Sequence, residues 1–489
     1  MTTRRQTRRP RFAAWIFSFL LAAVVAWSAW RAAHQSLTHD EAWTWTHFAA
    51  GGPAVIFGRY APNNHVLHSV LVWASERLFG PHELALRLPA LLGATLFLLA
   101  LVRLSRRLLG RGSLAVLFFA TLALNPLFLD YFVQARGYSL MLAGLAWGAA
   151  LLHASIEDES VSRRTAAWGS ATLGLALAAV PSCAFAVVGL GASTLVGALR
   201  RGETLARTLA ILVLPGLAIA GAILGAPLLH ATQAQFHFGA ASPWATVLGI
   251  VDATFAHLPP PYGSRPEGME TLLRVAAGLV FAMGILLATL GLRDLFRSRP
   301  RRFFASALGL QVLAVCAGVL FFHLPWPRER TALGVMFLGA LALGEAVGVS
   351  RQPRVRTLAA WVMAGIVAAN LLQIEGKRFR SHPYDAASRQ VYEAVTAEAR
   401  GMTRHPVSVW AEARLARALE AYRQLRGDGD LLSRIVLGWK APDRRYDVFV
   451  LTVEQAKRLG RALPRGTLIR MFREVGRFDE GRILVVRPR

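Results

Sequence analysis

The chain has 489 residues, 54% of them hydrophobic and only 17% charged, with a mean hydropathy of +0.40; this excludes an ordinary soluble domain, in which about a quarter of residues are charged. The net charge is +26, but the basic residues sit in short clusters between apolar runs, so positive loops on the cytoplasmic side of a membrane explain the excess better than nucleic-acid binding does. Two cysteines, Cys183 and Cys316, both within apolar runs, provide neither a disulfide framework nor a metal knuckle.

Arg4, Arg5, Arg8, Arg9 and Arg11 precede an apolar run over 12–33. Its length, about 20 residues, predicts a membrane span. The lack of a small-residue cleavage site favours a retained anchor with a cytoplasmic N-terminus. The first outer loop then covers 34–66. Within it, Thr38-x-x-Glu41 has the spacing of a helix capping box, and 64–79 reads as a short amphipathic helix lying in the interface. Further spans are predicted at 84–104, 114–128, 139–153, 166–180, 183–199, 209–229, 271–292, 304–322, 332–349 and 358–373. Arginine clusters at 103–111, 200–201, 293–302 and 351–356 all fall on one side of this alternation. A second outer loop runs from Leu129 to Tyr138, a long one covers 230–268, and a short one, 323–330, carries Arg328-Glu329-Arg330.

Residues 377–489 are charged and carry no span. Helices are predicted at Ser388–Arg400, 414–426 and about 453–463, with strands at 407–410, 447–451 and 483–486. The fold class is thus an α-helical polytopic membrane protein of about 11 transmembrane helices with a small C-terminal α/β extracytoplasmic domain. The division is a membrane module over 1–376 and an outer-face domain over 377–489, whose basic surface suits anionic lipid head groups or an acidic acceptor. A solvated scaffold is the plainer reading of that domain.

The residues that carry chemistry lie in the outer loops. Asp40 and Glu41 stand among Trp43, Trp45, His39 and His47 just beyond the first span. A carboxylate at the mouth of an apolar cavity suits a general base whose pKa desolvation raises; the competing reading is that Glu41 caps Thr38 and Asp40 supports the first turn. Asn63, Asn64, His65 and His68 offer hydrogen bonds to sugar hydroxyls, and His39 and His65 are weak candidates for a divalent metal with the acidic pair. Arg136, with Asp130, Gln134 and Tyr138, can grip a lipid phosphate or simply snorkel to the interface. Arg328 and Arg330 can neutralise a leaving phosphate, or pair with Glu329 at a span end. His230, His237, Asp252 and His257 in the long loop are candidates for a closing lid. A Walker loop, a dinucleotide-binding glycine fingerprint and a nucleophile elbow are absent from the sequence.

These residues together resemble the glycosyltransferase C superfamily, in particular its protein O-mannosyltransferase and lipid A aminoarabinose transferase branch. The resemblance rests on His39-Asp40-Glu41-Ala42, Pro62-Asn63-Asn64-His65, Ala85-Leu86-Arg87-Leu88-Pro89-Ala90, Gln134-Ala135-Arg136-Gly137-Tyr138-Ser139-Leu140 and Pro327-Arg328-Glu329-Arg330-Thr331. It covers roughly 10–375. It implies transfer of a sugar from a polyprenyl-phosphate donor to a lipid, glycan or protein acceptor on the outer face of the plasma membrane, with inversion. It assigns the base to Asp40 with Glu41 supporting, and the donor phosphate to Arg136 and Arg330 together with Arg328; the residues themselves add Tyr138 as a further phosphate donor and Asn64 and His65 as substrate contacts. A divalent cation is used by some members and not by others. Thr331 departs from the tyrosine often found after the late arginine. The alternatives are a carrier or flippase of polyprenyl-linked lipids, which would work through acidic residues inside spans such as Glu345, and a non-catalytic envelope assembly or sensor protein working through 377–489.

Overall fold

A computed structural model describes residues 9–157, 163–232, 235, 238–255, 302–438, 446–456 and 472–488. The predicted span at 271–292, the arginines at 293–301, His237 and His257 lie outside these residues. Helices dominate the chain up to Leu371. Seven of them, among the described residues, are long and apolar enough to cross a membrane: Ala13–His34, Glu83–Leu109, Tyr138–Ile156, Pro181–Arg200, Leu205–Leu228, Phe303–Phe322 and Glu329–Val349. Three more predicted spans are helices that fall short on length or apolarity. Ser113–Ala123 stops before Asn125-Pro126, where Asn125 caps the next short helix, while Arg163–Ala179 and Pro353–Leu371 carry arginines in their first turns.

The spans expose large apolar side chains rather than hiding them. Trp15, Phe19, Leu214, Leu217, Leu320 and Phe321 are each 60% exposed or more. That is costly in water and neutral in lipid, which is why the apolar surface runs around the helices. Packing between helices uses small residues, as expected where lipid removes the hydrophobic drive: a Cβ at Gly144 would lie 2.6 Å from the Thr172 carbonyl oxygen. Pro215 interrupts the helix Leu205–Leu228, and Ser170 repairs the neighbouring turn. Its hydroxyl donates to the Leu212 carbonyl and accepts from the Gly216 N–H at 3.0 Å. Glu345, an acidic residue within a span, is buried, and its carboxylate accepts the Phe304 and Ala305 N–H groups, each at 3.0 Å. It caps the start of the helix Phe303–Phe322, a structural use of this carboxylate.

The chain divides into two units. One comprises Met1–Trp30, Ile56–Leu71 and Leu88–Ile374; the other comprises Arg31–Val55, Val72–Arg87 and Glu375–Arg489. The sequence places the first outer loop in the membrane module, whereas Arg31–Val55 packs as part of the second unit. That unit holds a five-stranded sheet: β1 Val409–Glu412, β2 Val436–Gly438, β3 Val448–Thr452, β4 Phe472–Phe478 and β5 Ile483–Pro488, in the order β2-β1-β3-β5-β4. β1 runs parallel to β2 and β3, and β5 antiparallel to β3 and β4. β1 is buried along its whole length, as the central strand of a parallel set must be. The helices Ser388–Arg400 and Ala413–Leu425 lie where the apolar periodicity puts them.

Candidate functional site

The second unit holds the acidic pair. Thr38 begins the helix His39–Thr44 with the predicted capping box: the Glu41 N–H donates to Thr38 Oγ1 at 3.2 Å, and Glu41 Oε2 accepts the Thr38 N–H at 2.8 Å. Arg87, also fully buried, completes the arrangement. Its guanidinium donates to Glu41 Oε1 at 2.8 Å and Oε2 at 2.9 Å, and to the carbonyls of Ala32, Gln35 and Ser36 at 2.7 to 3.0 Å. Glu41, a catalytic candidate from sequence, is therefore held as a cap and counter-ion, and the capping alternative describes its surroundings. Arg87 was visible in sequence only as part of the Leu-Arg-Leu-Pro motif.

Asp40 points elsewhere. It is 9% exposed, and its Oδ2 lies 3.5 Å from Nε2 of His382. Asp385, in the same turn as His382, accepts the His39 N–H at 2.6 Å, yet burial holds its carboxyl well above the usual carboxylate range. The Trp43 and His47 rings, one helical turn apart, stack with centroids 4.3 Å apart, and the Arg417 guanidinium lies 3.5 Å from the Trp43 ring centroid. His39 receives Arg417 Nη1 at its Nε2, 2.8 Å away, and its Nδ1 faces the Arg414 carbonyl at 3.1 Å. Neither His382 nor Arg417 carried a motif that would have singled it out in the sequence.

The first unit holds the basic site. Arg136 is 1% exposed. Its Nη2 donates to Asn63 Oδ1 at 2.9 Å and to His65 Nε2 at 3.1 Å, with Nε 3.3 Å from the same nitrogen. A donor facing Nε2 assigns the proton of His65 to Nδ1, which lies 3.3 Å from the Ala179 carbonyl. Burial, then the charge of Arg330, push His65 down to about 4. Burial and Arg330 likewise push Arg136 down to about 10, so it stays charged at neutral pH. The Tyr138 ring stands edge-on to His65 at 5.0 Å and 4.4 Å from the Tyr131 ring. Burial raises the Tyr131 phenol well above its ordinary value, keeping it a neutral donor. Tyr131 was not among the sequence candidates; its place seven residues before Tyr138 was the available signal.

Asn64, a substrate candidate from sequence, donates its amide to the Ile56 and Arg59 carbonyls at 2.9 and 3.2 Å and accepts from Ser69 at 3.1 Å. Its hydrogen-bonding capacity is spent on the loop, and its neighbour Asn63 faces Arg136 instead. His68 is fully buried rather than interfacial, and burial pushes it down to about 3. Of the late arginines, Arg330 stacks 4.1 Å from the Phe238 ring centroid. Arg328 is about half exposed and pairs with Glu329 at 3.2 Å, the span-end alternative. Glu329 has φ +46°, a left-handed conformation that costs a non-glycine residue about 1–3 kcal/mol. Thr331 holds this turn, its hydroxyl accepting the Arg328 N–H at 2.7 Å. His230 and Asp252 are exposed.

The residues suggested for a divalent cation do not fit one. His39 and His65 each present Nε2 to a guanidinium, which repels a metal. Among the described residues no group of three or more His, Cys, Asp or Glu side chains is arranged to hold an ion.

No family profile matches the sequence, and no curated protein does. Solved structures do match. The crystal structure of ArnT from Cupriavidus metallidurans bound to undecaprenyl phosphate aligns at a TM-score of 0.57 and 14% identity, over 97% of this chain and 98% of that one. The same protein in the apo state aligns at 0.55 and 14%, over 97% of each. The arabinosyltransferase EmbB from Mycobacterium smegmatis aligns at 0.38 and 15%, over 84% of this chain and 42% of that one. The fold is therefore that of ArnT along nearly the whole chain.

Proposed function

We propose that the protein is an integral membrane glycosyltransferase that moves a sugar from a polyprenyl-phosphate donor to an acceptor on the outer face of the plasma membrane, with inversion. The observation that carries this reading is the Arg136 site. Two guanidiniums, Arg136 and Arg330, lie within electrostatic reach of each other around buried His65, Asn63 and a tyrosine pair. Guanidinium forks match the geometry and charge of a phosphate, and two within reach of each other favour such an anion. The ArnT fold, seen with undecaprenyl phosphate in that protein, supports the same donor class here.

In the reaction, Asp40 takes the proton of the acceptor hydroxyl or amine as that atom attacks the anomeric carbon. The bond from the anomeric carbon to the phosphate oxygen breaks, and the lipid phosphate leaves with the electron pair. Arg136 and Arg330 meet its growing charge, which is the largest contribution expected of the protein. Glu41 acts through Arg87 by fixing the loop that presents Asp40. Purified protein incubated with a panel of undecaprenyl-phosphate-linked sugars should consume one of them, read by mass spectrometry. Asp40→Asn should abolish turnover with membrane insertion intact; wild-type turnover in that variant would overturn the base assignment.

A further inference from the structure

We infer that His382 is a positioning residue for Asp40, forming an Asp–His pair in which the C-terminal segment takes part in the chemistry. The inference rests on Asp40 being the base. His382 lies in the turn Phe379–Asp385, where its N–H donates to the Phe379 carbonyl at 3.2 Å and its own carbonyl accepts from the Asp385 N–H at 3.1 Å. That turn places the imidazole, 8% exposed, with Nε2 3.5 Å from Asp40 Oδ2 and Nδ1 2.8 Å from the Ser381 hydroxyl.

Because a carboxylate oxygen accepts, Nε2 facing Asp40 carries the ring proton in this pair, and Nδ1 is then the acceptor for the Ser381 hydroxyl. An N–H aimed at one carboxylate oxygen favours the form a base needs and fixes the orientation in which Asp40 meets the acceptor. The 3.5 Å separation is long for a hydrogen bond at rest, and such contacts shorten in the substrate complex. The surrounding charges favour this use. Glu41 is neutralised by Arg87, Asp385 is held toward its protonated form by burial, and His39 and Trp43 face Arg417. Tyr384 stands edge-on to His382 at 5.9 Å, with the Arg414 guanidinium over its own ring at 5.6 Å. Asp40 is thus the carboxylate that His382 meets with its Nε2.

The test reads the pair directly, without substrate. His382 in the full-length protein, labelled on histidine nitrogens and assigned by comparison with His382→Gln, is titrated by NMR in wild type and in Asp40→Asn. A carboxylate partner raises an imidazole pKa, so Asp40→Asn should lower that of His382 by about one unit, a tenfold loss of proton affinity. Equal values in the two proteins overturn the pairing, whether or not Asp40→Asn is active. Turnover of whichever undecaprenyl-phosphate-linked sugar the panel identifies supplies the second readout. His382→Ala should lower kcat about 100-fold with KM unchanged and move the acidic limb of the pH profile; His382→Gln, which can still donate to Oδ2, should recover part of the rate. A His382→Ala protein with the wild-type profile, or a loss in His382→Gln equal to that in His382→Ala, overturns the inference. Turnover that survives Asp40→Asn overturns instead the base assignment beneath it.

Discussion

His65 holds its proton on one nitrogen only because Arg136 occupies the other, and this makes the basic site sensitive to acid. Its pKa is depressed to about 4 in the folded protein against 6.5 in the open chain. Between those values the unfolded state binds the extra proton and the folded state does not, so stability falls as pH drops through that window. Thermal unfolding midpoints should therefore decline from pH 6.5 to 4 more steeply in wild type than in His65→Gln; equal slopes would show that His65 is not the group responsible. Arg136→Lys keeps a charge but loses the fork that reaches Asn63 and His65 together. If Arg136 grips the donor, losing one charged hydrogen bond of about 1.5–3 kcal/mol should weaken undecaprenyl phosphate binding about 10- to 100-fold, measured by calorimetry in detergent.

The loop from Arg31 to Thr44 shows how an element is held for a purpose. Its helix has six residues, too few to be stable alone, and the order comes from Arg87, whose five donors meet Glu41 and three backbone carbonyls. Removing one member of a buried pair leaves the other charge uncompensated, so Glu41→Gln should cost about 3–5 kcal/mol of stability. A lowered unfolding midpoint together with reduced activity is the expected outcome; a stable protein without activity would instead point to chemistry at Glu41. Gly137 shows the same dependence on close approach in the other loop. A Cβ there would lie 2.5 Å from the Ala179 carbonyl oxygen, the group that His65 Nδ1 faces. Gly137→Ala should cost about 1–3 kcal/mol and weaken undecaprenyl phosphate binding along with it.

For the whole molecule, the orientation we propose can be read with single cysteines. Cys183 is buried and Cys316 lies within a span, so native labelling should be low. Arg404→Cys on the C-terminal segment should react with a membrane-impermeant maleimide in intact cells, and Arg351→Cys, on the side of the arginine clusters, only after permeabilisation. The reverse pattern would remove Asp40 and Arg136 from the outer face and, with them, the proposed reaction.

Much of this molecule was legible in its residues, because the signals that encode it are local. Hydropathy marked the spans, since lipid demands an apolar run long enough to cross it whatever the rest of the chain does. The Thr38–Glu41 box was readable because both partners lie three residues apart on one turn. The helices Ser388–Arg400 and Ala413–Leu425 and strands β1, β3 and β5 followed from periodicity, whereas the exposed β2 and the half-exposed β4 left none to read. What the tertiary structure decided were partnerships across the chain. Glu41 belongs to Arg87, Asp40 to His382, and Arg136 to Asn63 rather than Asn64. Which partner each of two adjacent carboxylates or amides takes depends on where distant segments pass, and no spacing within a few residues carries that information.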